Sequence, residues 1–223
     1  MGAYRVLLTG GSKGIGKATA ELFTRQGYEV HAPSHAELDL ENRESIQAFL
    51  EAHGHDEYDV IINNAGNNVI APIDEIDTNV MDRMMAVNLT APILLIRGLV
   101  WNMKQQRFGR IVNIGSIWAA VSKPGRAVYS VTKNGLHGLT QTLASELAPY
   151  NIMVNTVCPG FTLTELTRRT NTDEQIAQIS RQIPMGRMAQ PEEIAKMIFF
   201  AGCAENTYMT GQKIIVDGGF TSI

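Results

Sequence analysis

Cysteine is nearly absent: the 223 residues hold two, Cys158 and Cys203, with no paired spacing. That excludes a disulfide framework and a cysteine-based metal site, and free thiols suit a reducing compartment, so a cytoplasmic location is expected. The five histidines, His31, His35, His53, His55 and His137, show no ligand spacing either, and no metal is expected. An excess of one charge is also missing. With 19 Lys+Arg against 22 Asp+Glu the net charge is −3, which supplies no basic stripe for nucleic acid. No apolar run approaches the ~20 residues that span a bilayer, and no charged leader precedes an apolar run, so no membrane partner is expected. What is present is 44% hydrophobic residues, 18% charged residues and 20 glycines, a globular composition with many tight turns. One large α/β domain over residues 1–223 is expected at this length.

The glycines are concentrated where chemistry needs them. YRVLL (4–8) reads as a short buried strand, TGGSKGIG (9–16) follows it, and KATAELFTRQG continues with a helical pattern. A glycine turn between strand and helix lets a pyrophosphate approach the backbone and rest on the free N–H groups at the helix start. Gly10, Gly14 and Gly16 are the fixed points of the turn, with Ser12, Lys13 and Ile15 between them. YEVHAP (28–33) reads as the second strand, which ends where a side chain meets the adenosine ribose. An acidic residue there bonds the 2′-hydroxyl of NAD, and a basic one accommodates the 2′-phosphate of NADP. This chain offers Ser34 and His35, with no carboxylate to repel a phosphate, and Lys13 is placed to pair with one. NADP(H) is therefore favoured over NAD(H), with Lys13 as a solvated loop lysine the competing reading.

Only a few residues then lead into ELDLENRESIQAFLEA. A crossover helix between parallel strands needs a dozen or more, so the second helix is missing. Asp39 and Leu40 are expected at the end of a third strand, against the adenine. ENRESIQAFLEAHG follows as an amphipathic helix with Ile46, Phe49 and Leu50 on one face. YDVIINNAG (58–66) reads as a doubly covered parallel strand whose small Asn64, Ala65 and Gly66 let a ligand approach its carboxyl end. A long helix is expected over 79–106, with Asn88 among apolar neighbours in MAVNL. A buried amide without partners is costly, so Asn88 is bonded across the core or has a task.

GRIVNIGS (109–116) delivers Ser116 to a strand end on the side of the glycine turn. Tyr129 stands 13 positions beyond Ser116, and Lys133 four beyond Tyr129. Residues four apart share a helix face, so a hydroxyl, a phenol and an ammonium can surround one carbonyl. The ammonium is expected to lower the phenol's pKa toward neutral, making it a proton donor or acceptor. By itself the Tyr–Lys pair reads first as a solvated helical pair; its company decides.

TGGSKGIG, NNAG, Asn88, Ser116, YSVTK, CPGFTLT (158–164) and TGQKIIVDGG (210–219), in this order and spacing, resemble the short-chain dehydrogenase/reductase family from end to end. RFGRIVNIGS and IPMGRMAQPEEIA resemble its 3-oxoacyl-carrier-protein reductases. The resemblance implies a three-layer, doubly wound parallel sheet of the Rossmann type, here shortened between strands 2 and 3. It implies Tyr129 as proton donor or acceptor, Ser116 as the hydrogen-bond holder of the substrate oxygen, and Lys133 on the nicotinamide ribose. Asn88 would position a water that relays protons to the lysine. Pro159, Gly160, Thr162 and Thr164 match the segment beside the nicotinamide carboxamide, and Asn64, Ala65 and Gly66 that beside the adenosine ribose. Arg107 matches a basic position facing the acyl carrier, whereas Tyr150 stands where a second arginine is usual. A homotetramer, or a dimer, is implied by analogy. The segment 165–185 reads as a substrate lid or a surface helix. The expected activity is hydride transfer between NAD(P) and a carbonyl or secondary alcohol: a 3-oxoacyl thioester, a keto sugar or another small ketone. A dinucleotide-binding sensor or scaffold without turnover is the alternative.

Overall fold

Six short strands, each flanked by turns or helix ends, form one parallel sheet in the computed structural model, which describes residues 3–222. They are β1 (Arg5–Leu8), β2 (Glu29–His31), β3 (Val60–Asn63), β4 (Gly109–Ile114), β5 (Ile152–Pro159) and β6 (Lys213–Val216), in the order β2-β1-β3-β4-β5-β6. Side chains alternate across a strand, so each strand feeds two cores. Leu7, Ile61, Ile111 and Val154 point to a layer made by α2 (Arg43–His53), α4 (Ala91–Gln106) and α5 (Ala127–Leu147). Val6, Leu8, Val60, Ile62 and Val112 point the other way, to α1 (Gly14–Arg25) and α8 (Pro191–Gly202). The sheet is thus doubly wound, with helices on both faces.

A polar row crosses this apolar sheet beneath the site. Asn63, Asn113 and Thr156 are partners on β3, β4 and β5. Asn63 Nδ2 donates to Asn113 Oδ1 at 2.8 Å, Asn113 Nδ2 donates to Thr140 Oγ1 at 2.9 Å, and the Thr156 and Thr140 hydroxyls meet at 2.8 Å. Buried polar groups are costly unless paired, so this row fixes the strand register as well as tolerating burial.

Two expectations are corrected. No third strand ends at Asp39 and Leu40: β2 is the sheet edge, and residues 32–41 form turns up to Asn42, whose side chain caps α2 by accepting from Ser45 N at 3.1 Å. A segment that short cannot cross over and return as a strand. Leu38 instead drops into the α2/α4 core, and Asp39 N donates to Ser45 Oγ at 2.9 Å. The helix expected over 79–106 is also not regular. It runs as α3 (Thr78–Met85), a π-helical turn at Ala86–Thr90, and α4. The α-helical partner of the Asn88 carbonyl would be the N–H of residue 92, which is a proline, so the ladder must widen there. Joined, Thr78–Gln106 spans 29 residues and contains an 18-residue window of mean hydropathy 1.6, a length and composition that core helices share with membrane-crossing ones. Its Ala91, Leu95, Leu99 and Met103 are buried in the core described above.

Candidate active site and dinucleotide cleft

From β1 the chain runs outward to β2 and then returns to β3 on the other side of β1, so the carboxyl ends of β1 and β3 flank a crevice where ligands of such sheets bind. The glycine turn and the NNAG segment meet across it. Thr9 Oγ1 accepts from Asn64 N and Ala65 N, both at 3.1 Å, and Asn64 Nδ2 donates to the Thr9 and Gly10 carbonyls, both at 3.0 Å. Gly10 and Gly14 have φ of +69° and +55°, which side chains disfavour. At Gly16 a Cβ would lie 2.1 Å from the Gly10 carbonyl oxygen. Lys13 precedes α1 without a side-chain capping bond, leaving the leading N–H groups to an anion.

The resulting cleft, of about 860 Å³, brings most of the sequence-derived positions together. Gly10, Ser12, Lys13, Gly14, Ile15 and Gly16 form one side, Asn64, Ala65 and Gly66 the floor, and Ser34, His35, Asp39 and Leu40 the far end. Thr164 overhangs it together with Glu165 and Leu166 from α6 (Glu165–Thr170), which α7 (Asp173–Arg181) follows. Val87 and Asn67 line it too; sequence reasoning missed both, although Asn67 directly follows NNAG. Pro159, Gly160 and Thr162 lie outside the cleft lining, on the segment leading to Thr164. A Cβ at Gly160 would sit 2.7 Å from Asp217 Cα, and Thr167 Oγ1 donates to the Thr162 carbonyl at 2.8 Å. The glycine cradle and the uncapped helix start fit the phosphates of a dinucleotide.

The four reactive candidates lie at the other end, and Gly66 is the joint. A Cβ on Gly66 would be 3.2 Å from Asn88 Oδ1 and 3.4 Å from Lys133 Nζ. Lys133 is 3% exposed; its Nζ donates to the Ile114 carbonyl at 2.7 Å and stands 5.6 Å from the centre of the Tyr129 ring. Burial pulls its pKa down to about 8. Asn88 is fully buried in the π turn and locks the loop after NNAG: Oδ1 accepts from Asn67 N at 2.9 Å, and Nδ2 donates to the Asn67 carbonyl at 2.8 Å and to Thr132 Oγ1 at 3.3 Å. Ser116 follows β4 and caps the short 3₁₀ turn Ile117–Ala119.

Tyr129 reverses one expectation. Its pKa is raised, because burial outweighs the Ser116 hydrogen bond and the Arg126 charge that both lower it. Lys133 is directed to the Ile114 carbonyl and does not set the direction. The phenol is therefore protonated at neutral pH. Arg126 is the residue sequence reasoning missed: half-buried three positions before Tyr129, it stacks over Trp118 at 5.2 Å, and its Nε is buried without a partner. Arg107 is exposed in the left-handed turn after α4, where it donates to the Pro149 carbonyl at 2.9 Å; Arg168 and Arg169 are exposed in α6. Cys158 and Cys203 are free and buried. Two histidines that share no local spacing, His31 and His53, are brought to one carboxylate, Glu37.

Residues 30–221 match a family model described as Enoyl-(Acyl carrier protein) reductase. The 3-oxoacyl-[acyl-carrier-protein] reductase of Vibrio cholerae is 34% identical over 241 aligned residues, covering 97% of each chain. That of Aquifex aeolicus is 38% identical over 221, covering 96% of this chain and 86% of the relative. Among solved structures, ElxO with NADP bound superposes with a TM-score of 0.92 at 28% identity, over 99% of this chain and 100% of that one. A gluconate 5-dehydrogenase from Burkholderia cenocepacia in complex with NADP and tartrate gives 0.88 at 25%, over 100% and 97%.

Proposed function

The chain belongs to the short-chain dehydrogenase/reductase family, and from that premise we propose that it is an NADP(H)-dependent carbonyl reductase acting on a 3-oxoacyl thioester or a small keto acid or keto sugar. One observation carries the reading: Gly66 belongs both to the cleft floor and to the surroundings of Lys133 and Asn88, so a dinucleotide laid in the cleft ends at the reactive groups. When bound, the cofactor supplies the hydride from its nicotinamide. The chain supplies the proton and the geometry. Ser116 Oγ holds the substrate oxygen, and the Tyr129 O–H, protonated because burial raises its pKa, donates to it as the carbonyl carbon is reduced. Lys133, with its pKa near 8, would hold the nicotinamide ribose and return a proton to the phenol. Asn88 holds Asn67, and the second lone pair of its Oδ1 would be open to a water for that relay. The direction of the Tyr129 shift favours reduction at neutral pH over oxidation.

NADP(H) is favoured because Ser34 and His35, the residues that follow β2 into the cleft, carry no carboxylate and Lys13 is exposed in the same cleft, while the acids lining that end, Asp39 and Glu41, come later in the turn. NADP is bound in both solved structures compared above. Arg126, a half-buried cation beside Tyr129, favours a substrate carrying an anionic or strongly polar group. A cytoplasmic location and a homotetramer or dimer complete the reading; exposed Ile93 and Trp101 on α4 and Val131 on α5 offer apolar surface for a second copy. The test is loss of NADPH absorbance on adding an acetoacetyl thioester or a keto sugar acid. Turnover supports the proposal. Tight NADPH binding without turnover on any ketone would instead favour a dinucleotide-binding sensor.

A further inference from the structure

Where the chain lacks the expected helix and strand, three potential ligands converge. His31 ends β2, Glu37 lies in the turn beginning at Ser34, and His53 closes α2, with one ligand atom from each within 4.8 Å of the others. We propose that His31 Nε2, His53 Nε2 and Glu37 Oε1 form a binding site for a divalent transition-metal ion of the zinc type, completed by water. Neither the reductase reading nor the family match assigns anything to these residues, and the proposal does not depend on either.

The outer nitrogens of both rings are already engaged. His53 Nδ1 faces Asp56 Oδ2 at 3.0 Å, so that nitrogen carries the proton and Nε2 presents a lone pair. That lone pair faces Glu37 Oε1 at 3.8 Å. With the ring neutral, these two electron-rich atoms can be bridged by a cation. His31 Nδ1 meets the Tyr58 hydroxyl at 2.5 Å, that hydroxyl reaches Asp56 Oδ2 at 3.4 Å, and Nε2 makes a 2.7 Å hydrogen bond to Glu37 Oε1 whose proton a metal ion would displace. Asp56 thus orients both imidazoles, one directly and one through Tyr58, as carboxylates behind zinc-bound histidines do. Ligands of tetrahedral zinc stand about 3.3 Å apart; the two distances to Glu37 Oε1, 2.7 and 3.8 Å, bracket that spacing, and all three ligand atoms lie within 4.8 Å of one another, so closing on an ion takes side-chain adjustment and no movement of the fold.

The site is half-open: the side chains of His31 and His53 are 24% and 29% exposed and that of Glu37 is 40% exposed. Phe49 packs on both rings, with centroids 5.7 Å from His31 and 4.6 Å from His53. The neighbouring groups that could otherwise pair with Glu37 have partners of their own. Arg5 pairs with Glu29 and Asp56, each at 3.6 Å, and His35 with Asp39 at 3.8 Å. A bound ion would tie the turn carrying Ser34 and His35 to β2 and α2, in place of the missing elements.

The test uses the full chain stripped with chelator. Calorimetric titration with Zn²⁺ should show one equivalent bound, and Co²⁺ should give the visible d–d absorption of a tetrahedral site. Glu37→Gln and His53→Ala should each weaken Zn²⁺ at least tenfold, and Asp56→Asn by about 10- to 100-fold, the range for such orienting groups. The exposed neighbour His55→Ala should leave binding unchanged. Absence of stoichiometric Zn²⁺ binding would overturn the proposal, because a proton shared between His53 and the two carboxylates then explains the cluster. Binding that survives both Glu37→Gln, a change on an exposed turn that leaves the core intact, and His53→Ala would overturn it equally.

Discussion

The two ends of the cleft are built by opposite means. At the reactive end Asn88, Thr132, Lys133 and Ser116 are at most 6% exposed and are held by hydrogen bonds to backbone or to one another. At the end proposed to take the adenosine, Ser12, Lys13, Ser34 and His35 are exposed on turns. The difference suits the proposed tasks. Proton transfer needs fixed geometry and shifted pKa values, which low dielectric supplies; recognition of a ribose or phosphate needs only the right charge within reach. It also explains where the chain has been shortened. Loss of a helix and strand beyond β2 exposes an edge strand of three residues but leaves both core layers intact, whereas no element at the reactive end can be removed without opening the buried network.

Changes at the reactive end should therefore act steeply and those at the adenosine end gently. Tyr129→Phe should lower kcat by about 10²- to 10⁴-fold, the usual weight of a positioned acid, while NADPH affinity from nicotinamide fluorescence holds. Lys133→Met should lower turnover and also change the pH dependence of stability. In the native state Lys133 has a pKa of about 8 against the ordinary 10.5. Between those values the unfolded chain binds more protons, so the wild type gains stability as pH rises and carries the full cost of the buried charge below about 8. Chemical denaturation across that window should show this gain in the wild type and its absence in Lys133→Met.

Arg126→Gln removes a charge that favours the tyrosinate. The basic limb of kcat/KM should move upward, by up to about one pH unit as judged from nearby-charge effects, and a shift downward would contradict the placement of Arg126. The smallest effect is expected at the exposed end: Lys13→Ala should weaken NADPH by up to about fivefold, the scale of an exposed ion pair, and leave NADH unchanged.

Much of the site was legible because its signals are local. Glycines at 10, 14 and 16 between a strand and a helix, and Tyr129 and Lys133 one helical turn apart, need only short-range geometry to be read. The winding of the sheet followed from apolar runs covered on both faces. What escaped the sequence depends on tertiary placement. The direction of the Tyr129 shift is set by burial, which no spacing reveals. His31 and His53 meet only because α2 folds back on β2, and the polar row Asn63–Asn113–Thr156 exists only once three strands are in register. The π turn had a signal that went unread: a proline four residues after Asn88. The supposed third strand failed for an arithmetic reason, since residues 32–41 are too few to cross over and return.

The central claim is that the cleft presents NADPH to Tyr129. It is tested most directly by titrating the wild type and Tyr129→Phe with NADPH and NADH, followed by mixing each complex with an acetoacetyl thioester. The account predicts tighter binding of NADPH than of NADH by both proteins, and oxidation of the bound NADPH by the wild type alone. Tighter NADH binding would contradict the reading of Ser34, His35 and Lys13, and oxidation by Tyr129→Phe at the wild-type rate would remove Tyr129 from the chemistry.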